Sequence, residues 1–328
     1  MASWSDRLVR GAPYVLLGVS VAWVAERAWG PLKDPDSWWH LRLGEDFLHQ
    51  GSLSPPGHWS TFATSPWVPT QPLPEVASAL VNRWVGLPGL VWMYVAMVVL
   101  VVLMVFLLDR RYASPLPAAV AAMLFLAAGE GAMTPRPQLL SYAFLVVVMG
   151  VWLRTEVDLV PRWWLVPLSW LWSLCHGFWF VGVGYGALCV VAIAAGRRAS
   201  RGQVLRLALV PLASAVVVLL NPVGWRVFAA PFVVSARGQY ITEWQHPDLL
   251  GGPPLSVLLS CVAVVALWGW KREGASWFKA LVVLSAVFWS WYAVRTVIIG
   301  AIVVSPLLAA GLQSLIPASE DTPAPGST

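Results

Sequence analysis

Leu87-Pro-Gly-Leu-Val-Trp-Met-Tyr-Val-Ala-Met-Val-Val-Leu-Val-Val-Leu-Met-Val-Phe-Leu-Leu108, closed by Asp109-Arg110-Arg111, is the stretch whose reading decides the fold. It carries no charge before Asp109, and as a helix it is long enough to cross a hydrocarbon core of about 30 Å. The same pattern, an apolar run ended by a basic joint, recurs along the whole chain.

Composition agrees with that reading. The 328 residues are 58% hydrophobic and only 11% charged, with a mean hydropathy of +0.69. A soluble domain is usually about one quarter charged, so this chain has too few charges to clothe a soluble surface. The net charge of +5 does not point to nucleic acid, because the basic residues sit in short joints between apolar runs. Cys175, Cys189 and Cys261 lie in or beside apolar segments, without disulfide or metal-ligand spacing.

Working outward, apolar segments are expected at 13–29, 87–108, 115–128, 139–153, 163–175, 178–195, 207–220, 254–270, 277–292 and 297–312. This predicts an all-α polytopic membrane protein of about ten transmembrane helices. The first run is expected to be a retained helix and not a signal peptide. Arg7 and Arg10, Arg110 and Arg111, Arg154 to Arg162, Arg197 to Arg206, and Lys271 and Arg272 all mark one side, so both termini are expected to be cytoplasmic. Residues 1–316 then form a single transmembrane domain, 30–86 and 221–253 are extracytoplasmic loops, and 317–328 is expected to be a disordered cytoplasmic tail. Many of the 22 tryptophans stand near segment ends, where headgroups would lie.

The first of these loops opens with Asp34-Pro-Asp36-Ser-Trp-Trp39-His40. Pro35 favours an extended Asp34, and Asp36 is expected to cap a helix from Ser37. Helical spacing would place Trp39, Leu43 and Phe47 on an apolar face lying on the membrane, with Asp36 and His40 turned to a cleft. Acids in that position suit a general base or a metal ligand, although Asp34 and Asp36 also make sense as turn and cap residues. Arg136, between two prolines, suits an anion such as phosphate or the snorkelling role of an interfacial cation. His176 stands at a helix break between aromatic runs. Glu243, Trp244 and His246 follow in the second loop, where Trp244 could stack on a sugar or clamp a lipid head. Arg295 is a further candidate for a phosphate. The arginine-derived topology puts all of these at the outer face.

Asp34-Pro-Asp36-Ser-Trp-Trp39-His40-Leu-Arg-Leu-Gly44-Glu45, followed in order by Arg136-Pro137-Gln138, His176-Gly177, Asn221-Pro222-x-Gly224 and Glu243-Trp244-x-x-Pro247, resembles a bacterial membrane protein family related to the GT-C glycosyltransferases. That resemblance implies a GT-C-like helical bundle in the bacterial plasma membrane, with amphipathic surface helices in the first outer loop. It also implies transfer of a sugar from a polyprenyl-phosphate donor to an envelope acceptor, frequently with a divalent metal such as Mg or Mn. The role of base or metal organiser would fall on Asp34 or Asp36. His58 stands where the family places an acid, and Gln71-Pro-Leu-Pro74-Glu75 replaces a His-Glu-Trp-like element. These departures leave a second expectation beside the first: a non-catalytic relative acting as a lipid or glycolipid transporter, or as a subunit of an envelope complex.

Overall fold

A computed structural model describes residues 4–53, 68–235, 238–272 and 275–316. His58 and the expected tail at 317–328 lie outside the described residues. Thirteen α-helices and several short 3-10 turns account for the architecture, with no strand among the described residues.

Helix α1 (Trp4–Ala28) precedes two shorter helices, α2 (Pro35–Gln50) and α3 (Pro72–Val85). Next come α4 (Leu87–Asp109), α5 (Pro115–Gly129), α6 (Gln138–Asp158), α7 (Leu165–Cys175) and α8 (Trp179–Ala195). The remainder comprises α9 (Arg201–Val217), α10 (Arg226–Ser235), α11 (Gly252–Lys271), α12 (Trp277–Tyr292) and α13 (Val297–Gln313).

Five helical stretches are long and apolar enough to cross a membrane: Leu87–Asp109, Gln138–Asp158, Arg201–Leu220, Gly252–Lys271 and Val294–Gln313. Helices α5, α7, α8 and α12 are apolar but shorter. Their surfaces make the same point. Leu100 and Leu107 of α4, Leu205, Leu209, Leu212 and Val216 of α9, and Leu259, Val262 and Val265 of α11 are all exposed. Continuous outward leucine and valine is costly in water and suits lipid. The chain therefore has the make-up of a helical membrane protein.

The core centres on α13 and α6, which are mostly buried, while α9 and α11 lie at the periphery. Small residues allow the central contacts. A Cβ on Gly300 would lie 2.8 Å from the Ala286 carbonyl oxygen, so α12 and α13 meet backbone to backbone there. The three cysteines are free and buried. They act as small core hydrophobes.

Local chemistry moves several expected boundaries. Helix α2 is capped by Asp34, whose carboxylate accepts from the Asp36 amide at 3.1 Å, and Pro35 occupies the first helical turn. Asp36 is therefore inside the helix and is not its cap, because the fixed φ of proline suits N1. Trp39 is half exposed; Leu41, Leu43, Gly44 and Phe47 are the buried side. The burial is set by α3 packing on the Gly44 side of α2. Helix α9 begins at Arg201 and not near 207, because Ser200 and Gln203 form a reciprocal capping box. Arg201 and Arg206 thus belong to the helix and not to a joint.

The α2–α3 contact depends on Gly44. A Cβ there would fall 1.9 Å from the Glu75 carbonyl oxygen, a backbone atom that cannot swing away. Gly44→Ala is expected to pry the two helices apart and cost about 1–3 kcal/mol or more by overpacking. A thermal melt compared with Gly51→Ala, whose added Cβ meets nothing within 4 Å, checks the cause. Gly51 carries its own left-handed φ of 63°, so an equal loss in both variants would show that the packing at Gly44 is not special.

Candidate functional site

One end of the bundle gathers the start of α2, the loop before α6, the α7–α8 break, the segment before α11 and the start of α13. Ser37 donates its hydroxyl to the Pro135 carbonyl at 3.0 Å, tying α2 to that loop. The Tyr94 hydroxyl donates to the Met133 carbonyl. Asn221 Nδ2 donates to the Ser173 carbonyl at 3.0 Å, and the Val294 amide donates to the Gln245 carbonyl at 3.0 Å. These contacts hold irregular backbone over the helix ends.

Arg136 is the hub. Its Nε lies 2.5 Å from Asp34 Oδ2, and Nη2 donates to Asp34 Oδ1 at 3.0 Å, a bidentate pair. Nη1 meets Asp36 Oδ2 at 3.0 Å and Glu243 Oε1 at 2.8 Å. Glu243 arrives on the 3-10 turn Thr242–Trp244. Burial would lower the Arg136 pKa, but the Asp34 hydrogen bond and the charges of Glu243 and Asp36 outweigh it, and the net shift is upward. The guanidinium is permanently charged.

Arg295 stands behind this hub. Its Nη2 donates to Gln138 Oε1 at 2.8 Å, and Nη1 is 4.0 Å from Glu243 Oε2. The guanidinium carbon lies 4.9 Å from the centre of the Trp244 ring and 5.5 Å from that of Phe178, a cation–π sandwich. Arg295 Nε, Trp244 Nε1 and the Tyr142 hydroxyl are buried without hydrogen-bond partners among the described residues. Three carboxylates face two guanidiniums here, leaving one negative charge in excess.

The three candidate histidines, His40, His176 and His246, fall in three places. His40 Nδ1 pairs with Glu75 Oε1 at 2.9 Å, under the α2–α3 contact. His176 Nδ1 lies 2.9 Å from Ser141 Oγ, which itself accepts from Trp172 Nε1 at 2.7 Å. The Phe178 amide donates to the same Nδ1 at 3.3 Å, so this nitrogen is an acceptor, the Ser141 hydroxyl donates to it, and the other ring nitrogen carries the proton. His246 stacks on Trp291 and reaches its carbonyl at 3.0 Å. It belongs to the end of α12 and not to the Arg136 cluster. So Asp34, Asp36, Arg136, Glu243, Trp244 and Arg295 come together, His40 and His176 pack against neighbouring elements, and His246 stands apart.

Sequence reasoning missed Tyr94, Ser141 and Tyr142, and assigned no role to Glu75. Tyrosines inside apolar runs look like core residues, and only tertiary contact shows that their hydroxyls face the polar end.

The acids differ in availability. The Asp34 side chain is 8% exposed and gives both oxygens to Arg136, whereas that of Asp36 is 48% exposed and gives one. A divalent cation needs several hard oxygens around it. Among the described residues no group of three His, Cys, Asp or Glu side chains is placed to hold a metal ion. Asp34 and Asp36 already share a guanidinium, so this donor set, as folded, suits an arginine better than a divalent cation.

No protein-family model, curated protein or solved structure matches the chain.

Glu75 and His176 tie stability to pH in opposite ways. Burial raises the Glu75 pKa above its ordinary 4.5, against the lowering effect of His40. The folded state therefore holds a proton that the unfolded state releases, and stability from this group falls as pH rises above 4.5. Burial, with the charges of Arg295 and His40, holds His176 well below 6.5, so stability from it falls as pH drops below 6.5. The two slopes have opposite signs, and they oppose each other where the window opening upward from 4.5 overlaps the one opening downward from 6.5. Glu75→Gln is expected to remove one of them and steepen the loss of melting temperature on going from about pH 7 to about pH 5. An unchanged pH profile would remove Glu75 from the account.

Proposed function

We propose that the chain is a GT-C-like glycosyltransferase of the bacterial plasma membrane, spanning it about ten times with both termini cytoplasmic. It would move a sugar from a polyprenyl-phosphate donor to an envelope acceptor at the extracytoplasmic face. The carrying observation is the unequal pair Asp34 and Asp36: one acid locked in a bidentate arginine pair, its neighbour half exposed and joined to the same arginine through one oxygen.

Asp36 would accept the proton of the acceptor hydroxyl as that oxygen attacks the anomeric carbon. The bond from that carbon to the phosphate oxygen breaks, and the electron pair leaves with the polyprenyl phosphate. Arg295 supplies positive charge for that leaving group, and Trp244 offers the sugar an aromatic face. Arg136 and Asp34 position Asp36 and do not themselves react. Since the donor set favours an arginine over a divalent cation, no step is routed through a metal.

A second reading is favoured by one observation: Arg136 is engaged by three carboxylates of this chain, as a clamp would be. On that reading the protein is a non-catalytic lipid or glycolipid transporter, or a subunit of an envelope complex. The two separate in one assay. Purified protein in nanodiscs, given polyprenyl-phosphate sugars and envelope glycans, should release free polyprenyl phosphate in step with sugar transfer. Binding of the lipid without release would favour the second reading.

A further inference from the structure

The opposite end of the bundle carries a second arrangement. Helix α8 passes into α9 through Gly196-Arg197-Arg198-Ala199-Ser200, with Arg197 in the left-handed region at φ 52°. Trp277, the first residue of α12, is exposed and adjoins the same corner, where a Cβ on Gly196 would lie 3.5 Å from its Cδ1. The acids nearby are already engaged. Glu156 is buried against Arg198 at 3.2 Å, and Asp158 is held by Arg162 at 2.5 Å and Arg154 at 3.4 Å. Arg197, Arg201 and Arg206 are exposed and form no ion pair among the described residues.

From Leu205, between Arg201 and Arg206, α9 is apolar on its outer side. Leu205, Leu209, Leu212 and Val216 are all exposed. From Arg206 to Val216 the helix rises roughly 15 Å, about half of a hydrocarbon core near 30 Å. The result is a cationic cap, a tryptophan at its rim and an apolar stripe one leaflet deep.

We propose that this corner is a binding site for an anionic phospholipid. Its phosphate would lie among Arg197, Arg201 and Arg206, and an acyl chain would run down Leu205, Leu209, Leu212 and Val216. Guanidinium groups suit phosphate oxygens. A zwitterionic lipid would bring its own cation beside the arginines, so an anionic headgroup is preferred. The inference rests on the lipid-facing character of α9 and not on the transferase reading.

The test uses the full chain in mild detergent, with phosphatidylglycerol or phosphatidylcholine added and bound lipid counted by native mass spectrometry. Phosphatidylglycerol should be retained at least about tenfold more tightly. The triple variant Arg197→Gln, Arg201→Gln, Arg206→Gln should lose that preference, while Arg111→Gln, also at an exposed arginine of this end, should keep it. Arg206→Gln alone should weaken retention several-fold, which keeps the test available if the triple variant folds poorly. Equal retention of the two lipids, or an unchanged preference in Arg206→Gln and the triple variant, overturns the proposal. So does inorganic phosphate displacing phosphatidylglycerol at equal concentration, since a bare anion needs no apolar stripe.

Discussion

Asp36→Asn is expected to lower sugar transfer by roughly 10²–10⁴-fold, the usual contribution of a positioned general base. The melt should change little, because the Asp36 side chain is 48% exposed and shares Arg136 with two other acids. Asp34→Asn should behave differently. It removes the charged bidentate partner of Arg136, although asparagine can still cap α2, so stability and transfer should fall together. The comparison to make is transfer per folded molecule. A normal rate in Asp36→Asn would rule out that residue as the base, whatever happens in Asp34→Asn.

Arg136→Gln is expected to be the most destabilising single change at this end. It strands Asp34, whose side chain is 8% exposed, and takes the central charge away from Asp36 and Glu243. Removing one partner of a buried pair costs about 3–5 kcal/mol, because the remaining charge stays desolvated. Arg136→Lys should recover only part of the loss, since an ammonium cannot bond both oxygens of Asp34 and also reach Glu243 in the same fork geometry. Unfolding in a denaturing detergent series would measure both variants. A loss below about 1 kcal/mol, the range of exposed pairs, would mean that the cluster is solvated and not a clamp. The double variant Asp34→Asn, Arg136→Gln should be less damaging than the sum of its parts, as direct partners are.

Much of the fold is legible in the sequence. Helices α4 and α12 lie close to the apolar runs that announce them, because their ends are marked by charges, prolines or a capping serine. Counting arginines placed Asp34, Arg136 and Glu243 on one side, and in the fold Arg136 touches both acids although they are more than 100 residues away in sequence. What sequence did not contain is the pairing itself. Asp34 reads equally well as a turn residue, and its cap hydrogen bond and its arginine pair coexist. Trp39, Leu43 and Phe47 share one face by helical spacing, but α3 packs on the Gly44 side of α2, so Leu43 and Phe47 are buried while the indole of Trp39 stays half exposed. Tyr142 is one aromatic among many in an apolar run, and its unpartnered hydroxyl appears only when α6 is set beside Arg295. Amphipathic pattern finds a face, whereas which neighbour covers that face is a property of the whole bundle.

The most direct test of the transferase reading is a structure of the protein purified with polyprenyl phosphate in nanodiscs. The account predicts the phosphate beside Arg295 and Trp244, at the bundle end that holds Asp36, with the prenyl chain leaving sideways into lipid. A phosphate seated elsewhere, with Arg136, Arg295, Asp34 and Glu243 undisturbed and no lipid at that end, would contradict it.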